Sequence, residues 1–270
     1  QILSTNVPDL AVYGGVVVMV NHPCMAGAFG SVGQYKMRLS DGREQRLFQT
    51  FIGRLSGFDT GQGMPFPWRL IDTFLSHELG HNLGLMHANG WDCGAQTLGD
   101  NCQNRESQNL FDVMGRGLAS LHFNAYFKEF LGWLKPSSIL VVNQSGTYSL
   151  APLEATSGHR AAKIVLPSTR RSFYLEYRRA RGFDSRLAQE PYPSNQFGLM
   201  INLASRPITG DPYPYTHLLD MSATDLSWFN DSQRTVLPGD NKSVFIDPAS
   251  GLTIGPIIKV APDNITFKIS

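Results

Sequence analysis

The sequence has 270 residues but only three cysteines, charged residues make up 17% of it, and its formal net charge is +1. So few cysteines exclude a disulfide-dense scaffold. So even a charge balance gives no reason to expect a nucleic acid partner or a disordered chain. Long apolar runs are missing too: the nearest approach, Val12 to Val20, includes Gly14 and Gly15 and is far too short to span a bilayer. No membrane insertion is expected. There is no solenoid-type repeat and no basic-then-apolar leader after Gln1. The chain is therefore expected to be a processed form or the ordered part of something longer. At 42% hydrophobic, it can bury a proper core in one large domain or two ordinary ones.

Tyr13 to Val20 reads as a buried strand, a β-branched run bounded by glycines and by Asn-His-Pro. Gln34 to Leu39 and Glu44 to Ile52 flank Asp41-Gly42, a dipeptide suited to a tight turn, and read as an edge hairpin. Gly53 to Pro67 is rich in glycine and proline and reads as a loop. From Trp68 the apolar positions Ile71, Leu75, Leu79 and Leu83 recur at helical spacing, with Pro67 suited to the start and Gly84 to the end. A polar loop of about thirty residues, long enough to be functional or tied down, leads to Phe111 through Gly115. A second helix is expected over about Leu121 to Leu131, with Phe123, Phe127, Phe130 and Leu131 on its apolar face and Gly132 as its stop. After Pro136 the pattern changes to short β-type runs separated by turn clusters. The expected fold class is α+β: a mixed domain over residues 1–142, then an all-β, sandwich-like domain over 143–270.

The chemistry is concentrated in residues 77 to 87. His77 and His81 stand one helical turn apart on the same face, where both imidazoles can reach one ion, expected to be Zn2+. Glu78 lies about 100° round the helix from His77, flanking the ion instead of ligating it. That is where a general base for water activated by the metal must stand. Gly84 lets the backbone end the helix and swing back so that His87 can become the third ligand. Three protein ligands leave a position open, as in catalytic zinc sites; structural sites usually fill all four and have no use for Glu78. By chance, the five defined positions would match in roughly one in 10⁵ chains of this composition.

The pattern His77-Glu78-x-x-His81-x-x-Gly84-x-x-His87, followed by Asp112-Val113-Met114-Gly115, resembles the metzincin peptidases. Within that clan the chain is most similar to the gametolysin (autolysin) family. The similarity runs through His87-Ala88-Asn89, Asp112 to Gly115, His122-Phe123-Asn124-Ala125, Leu131-Gly132-Trp133, Tyr174 to Arg178 and Gly182-Phe183-Asp184. The resemblance implies a secreted zinc endopeptidase acting on matrix or cell-wall glycoproteins, with Met114 as the floor of the metal site. It also implies a further strand and a long helix ahead of Tyr13, which would make Gln1 to Leu10 the remnant of that portion. Two departures matter. Ala88 follows the third histidine, where some metzincin families have an acidic or hydroxyl residue. Arg116 replaces the tyrosine that is an extra ligand in the astacin-like and serralysin-like branches, so transition-state stabilisation falls to other residues.

Among weaker signals, His122 and Tyr126 are candidates on the following helix to stabilise an oxyanion, with plain packing as the alternative. Cys93 and Cys102 lie close together among Gly, Asp and Asn and are expected to form a local disulfide; Cys24 is then a buried thiol or pairs outside this chain. Sequons at Asn143, Asn230, Asn241 and Asn264 are compatible with glycosylation and secretion. Arg170, Arg171, Arg178, Arg179, Arg181 and Arg186 read as a solvated face, or as contacts to an acidic glycan. Asp240 and Asp247 lack the spacing of a calcium loop. A second hypothesis of a different class is a structural or adhesive component of an extracellular assembly, meeting its partner through the β-rich domain.

Overall fold

A computed structural model describes residues 12–20, 27–39, 42–53, 68–116, 121–166, 171–189, 198–205, 214–221 and 236–270. Strand far outweighs helix within them, and the sheets are mixed. Two compact units divide the chain, Gln1–Met86 and His87–Ser270.

In the first unit, β1 (Gly15–Met19), β2 (Ala28–Gly30), β3 (Tyr35–Arg38) and β4 (Glu44–Ile52) form one sheet around β4. The long β4 pairs in parallel with β1 through Phe48 to Ile52, and antiparallel with β2 and with β3. The hairpin of β3 and β4 forms as expected, but its expected edge position is corrected: β4 is the central strand, paired with β1, β2 and β3. Gly42, at φ +86°, donates its N–H to Leu39 O at 3.0 Å, while Asp41, Cys24 and residues 54–67, where a loop is expected, lie outside the described residues. The expectation of a buried β1 is corrected: Val17, Val18 and Met19 are exposed. β1 is the outer strand in the order β1-β4-β2, and a β-branched run satisfies strand geometry without requiring cover.

Helix α1 (Trp68–Asn82) packs on β2 and β4. It ends as a Schellman motif: Gly84, at φ +92°, donates to His81 O at 2.8 Å and Leu85 donates to Gly80 O at 3.1 Å. The expected apolar stripe holds at Ile71, which is buried, but fails at Leu83, which is exposed. Polar residues occupy the buried side of the last turn instead. The Asn82 carboxamide accepts from Thr50 Oγ1 at 2.5 Å and donates to Ser31 O at 2.9 Å and Gln49 O at 3.0 Å, fastening the helix to the sheet by hydrogen bonds that the stripe did not include.

The second unit is a β-sandwich with one short helix packed on its larger sheet. Its strands are β5 (Ala88–Asp92), β6 (Gln103–Arg105), β7 (Ile139–Val142), β8 (Gly146–Leu150), β9 (Ala161–Leu166), β10 (Arg171–Glu176), β11 (Gly198–Ser205), β12 (Tyr215–Leu219), β13 (Val236–Pro238), β14 (Phe245–Ile246), β15 (Thr253–Ala261) and β16 (Asn264–Ile269). One sheet has the order β6-β5-β12-β11-β10-β9-β7 with β13 beside β11; the other has the order β14-β15-β16-β8. Ile164, Phe173, Leu175 and Ile201 of the first sheet share one core with Leu150, Ile257, Ile265 and Phe267 of the second.

Two expectations change here. The sheet runs across the boundary expected near Asn143, since β5 and β7, both before it, pair in parallel with β12 and β9, both after it. The expected polar loop also contains β5 and β6, whose Ala-Asn-Gly-Trp-Asp and Gln-Asn-Arg sequences show no alternation; neighbouring strands, not local pattern, recruit them. The second helix, α2, is shorter than expected, Ala125–Phe130, because Asn124 caps it by accepting from Phe127 N at 3.0 Å. Phe127 is buried, but Phe130 is exposed. Among the described residues, no helix is long and apolar enough to cross a membrane.

Candidate metal centre

His77, Glu78 and His81 lie on α1, and the chain returns through Gly84 to bring in His87. One ligand atom from each of the three histidines falls within 4.8 Å of the others, and the rings of His77 and His81 meet nearly edge to face with centroids 4.9 Å apart. Leu85 O lies 2.8 Å from His81 Nδ1. A carbonyl only accepts, so Nδ1 carries the hydrogen and Nε2 keeps its lone pair for a metal. Glu106 Oε1 does the same for His87 Nδ1 at 2.5 Å. With Nδ1 engaged, His81 and His87 each present Nε2 to a metal; imidazole nitrogens are donors suited to zinc, and three of them leave a position open. The residues present therefore fit the ion.

Glu78 is buried, and burial pushes its carboxyl up to about 7, partly offset by a hydrogen bond from the Gly30 backbone. Its position requires close approach of β2 to α1: a Cβ on Gly30 would lie 2.4 Å from Glu78 O. Only glycine allows that contact.

Asp112 to Gly115 forms a tight turn. Asp112 Oδ1 accepts from Met114 N at 2.7 Å, Gly115 donates to Asp112 O at 2.9 Å, and the Met114 side chain is wholly buried. Met114 O accepts from Ala88 N at 2.9 Å, tying the turn to the residue after His87. A Cβ on Gly115 would lie 2.1 Å from Asn109 O. The wholly buried Asp112 carboxyl is pushed up to about 7 by desolvation, against hydrogen bonds from Met114 and Asn124.

Behind this turn is a network that the arginine count did not suggest. Arg178, expected on a solvated face, is fully buried, with Asp184 on Nε and a second guanidinium nitrogen at 2.6 Å each and Glu176 at 3.1 Å. Desolvation opposes the Asp184 charge, but Arg178 outweighs it and holds the carboxyl well below the usual range. Glu176 Oε2 accepts from Ala125 N at 2.7 Å, Asp112 Oδ2 from Asn124 N at 2.6 Å and Asp184 Oδ1 from His122 N at 3.0 Å. The stretches Tyr174 to Arg178 and Gly182 to Asp184 thus meet as the support of the α2 N-terminus and the turn. Arg181 is exposed, as expected, and pairs with Asp263; Arg170 lies outside the described residues.

His122 precedes α2 instead of lying on it. Its Nδ1 is 3.0 Å from Lys128 Nζ and its ring meets Phe183 edge to face; burial lowers its pKa to about 4. The Tyr126 ring packs 5.0 Å from that of Tyr174, against the core beneath α2. Cys93 and Cys102 form a disulfide closing the tip of the β5–β6 hairpin. Asn143 and Asn241 are exposed and Asn264 is half-buried, while Asn230 lies outside the described residues. Asp240 and Asp247 accept hydrogen bonds from their own turns, from Ser243 N at 2.8 Å and Ser250 N at 3.1 Å.

Sequence reasoning missed Glu106 and its partner Asn104. Neither has a motif or periodic spacing, and only the hairpin brings Glu106 back to His87. Compared with models of known families, with curated proteins and with solved structures, the chain matches none.

Proposed function

We propose that the chain is a zinc-dependent endopeptidase of metzincin type, most like gametolysin, secreted and acting on matrix or cell-wall glycoproteins. The observation that carries this reading is the convergence of His77, His81 and His87 within 4.8 Å, with the buried Glu78 next to the first of them in sequence. Zinc held there supplies Lewis acidity that polarises a peptide carbonyl and lowers the pKa of water. Glu78 takes the proton of the attacking water and delivers it to the leaving amine nitrogen. A carboxyl raised towards neutrality by burial suits both halves of that transfer. The disulfide between Cys93 and Cys102 fits an oxidising, extracellular setting.

The test is a digest of a mixed peptide library with and without a chelator, together with zinc analysis. We expect one zinc per chain and chelator-sensitive cleavage; the Glu78→Ala variant should keep the zinc and lose the cleavage. Cleavage retained by that variant would falsify the assignment of Glu78. Zinc binding without any cleavage would favour the adhesive reading, which gives a buried Glu78 no role.

A further inference from the structure

We propose that Glu106 is a positioning residue for the third zinc ligand, holding the His87 imidazole so that Nε2 faces the metal. The inference rests on the zinc reading above and extends it to a residue outside the histidine motif. His81 gets its orientation from Leu85 O, four residues along the same chain. For His87 the partner of Nδ1 comes from farther off: a carboxylate nineteen residues away. A carboxylate behind a metal-binding imidazole fixes the tautomer, restrains the ring and raises the basicity of the ligating nitrogen.

The contact is built, not incidental. Glu106 lies at the turn that follows β6, and the next residue, Ser107, adopts φ +54°, a conformation unfavourable for a side-chain-bearing residue. Asn89 Oδ1 holds that turn by accepting from Ser107 N at 2.8 Å. The second carboxylate oxygen of Glu106 accepts from Asn104 Nδ2 at 3.1 Å, and Asn104 Oδ1 lies 3.2 Å from Nε2 of the buried His217. Burial lowers the His217 pKa to about 4, so near neutral pH the ring is uncharged and donates from Nε2 to Asn104. His217 Nδ1 finds no partner among the described residues, a cost to stability accepted while the other nitrogen orients Asn104. Below the hairpin tip, Arg105 grips Asp92 at 2.6 Å across the two strands. Both oxygens of Glu106 are therefore aimed, although the side chain is largely exposed. Solvent screens its bare attraction for a cation, so the influence on the metal runs through His87.

Zinc affinity measured by competition with a chromophoric chelator tests this, without reference to activity. Wild type should hold one zinc. Glu106→Ala should bind it about 10- to 100-fold more weakly, with Glu106→Gln, which keeps the size and an acceptor oxygen, falling between the two. The cobalt-substituted Glu106→Ala protein should also show an altered visible spectrum at saturating metal, a change that a purely structural role would not produce. Should Glu106→Ala not fold, the near-isosteric Gln variant carries the measurement. Wild-type zinc binding with the variant's affinity within twofold of it would overturn the role of Glu106 and leave the zinc site intact. A wild type that takes up no zinc would overturn both readings, and is recognised before any variant is made.

Discussion

Two of the three histidines are held in opposite ways. His81 leans on Leu85 O, and the helix end that brings Leu85 there is set by one glycine, so this support lies within a few residues. His87 leans on Glu106, whose place depends on the β5–β6 hairpin, its disulfide, Asn89, Asn104 and, through Asn104, on His217 more than a hundred residues away. A local device forms wherever the helix forms. A distant one forms only when the sandwich of the second unit is complete, so metal binding by His87 should report on the folding of that unit.

The largest effect expected is from His81→Ala, which should take zinc from one per chain to near none and abolish peptide cleavage, read by metal analysis and the library digest. Removing the disulfide by Cys93→Ser with Cys102→Ser attacks the distant support: a nine-residue separation predicts a loss of ~2–3 kcal/mol in denaturant unfolding. Zinc affinity should fall too, but less than in Glu106→Ala; an unchanged affinity would mean the hairpin holds Glu106 without its tip. Gly84→Ala attacks the local support. A side chain at φ +92° should cost about 1–2 kcal/mol and weaken zinc binding, whereas equal affinity would show that the return to His87 tolerates another backbone path.

The smallest effect concerns His217. Its folded pKa of about 4 lies below the ordinary 6.5, so its contribution to stability is complete above pH 6.5 and is lost as pH falls towards 4. Wild type should therefore lose stability relative to His217→Gln over that window, by on the order of 1 kcal/mol, in paired denaturant titrations at pH 7 and pH 4.5. Parallel behaviour of the two proteins would remove His217 as the buried anchor of Asn104.

Much of the candidate metal centre was legible because its geometry is local. A histidine pair one turn apart, a glutamate between them and a glycine that can take positive φ determine α1, its end and the return of His87. Met114 was legible only through the metzincin resemblance, since nothing in its local spacing singles it out. The burial of Arg178 was not, since no periodic spacing relates it to Asp184, Glu176 and Glu154, which only the fold gathers round the guanidinium. Nor was Asn82, whose partners Ser31, Gln49 and Thr50 come from the sheet under the helix.

The sequence by itself thus determined the histidine triad, the glutamate beside it and the β-rich character of the later chain, because each follows from spacing along a few consecutive turns or strands. Only the tertiary structure decided that β5 and β6 belong to the large sheet, that the compact division falls at Met86 and His87, and that Glu106 backs His87. Those features arise from pairing between segments far apart in the chain, where the energy lies in burial and hydrogen bonds between side chains that no local period relates.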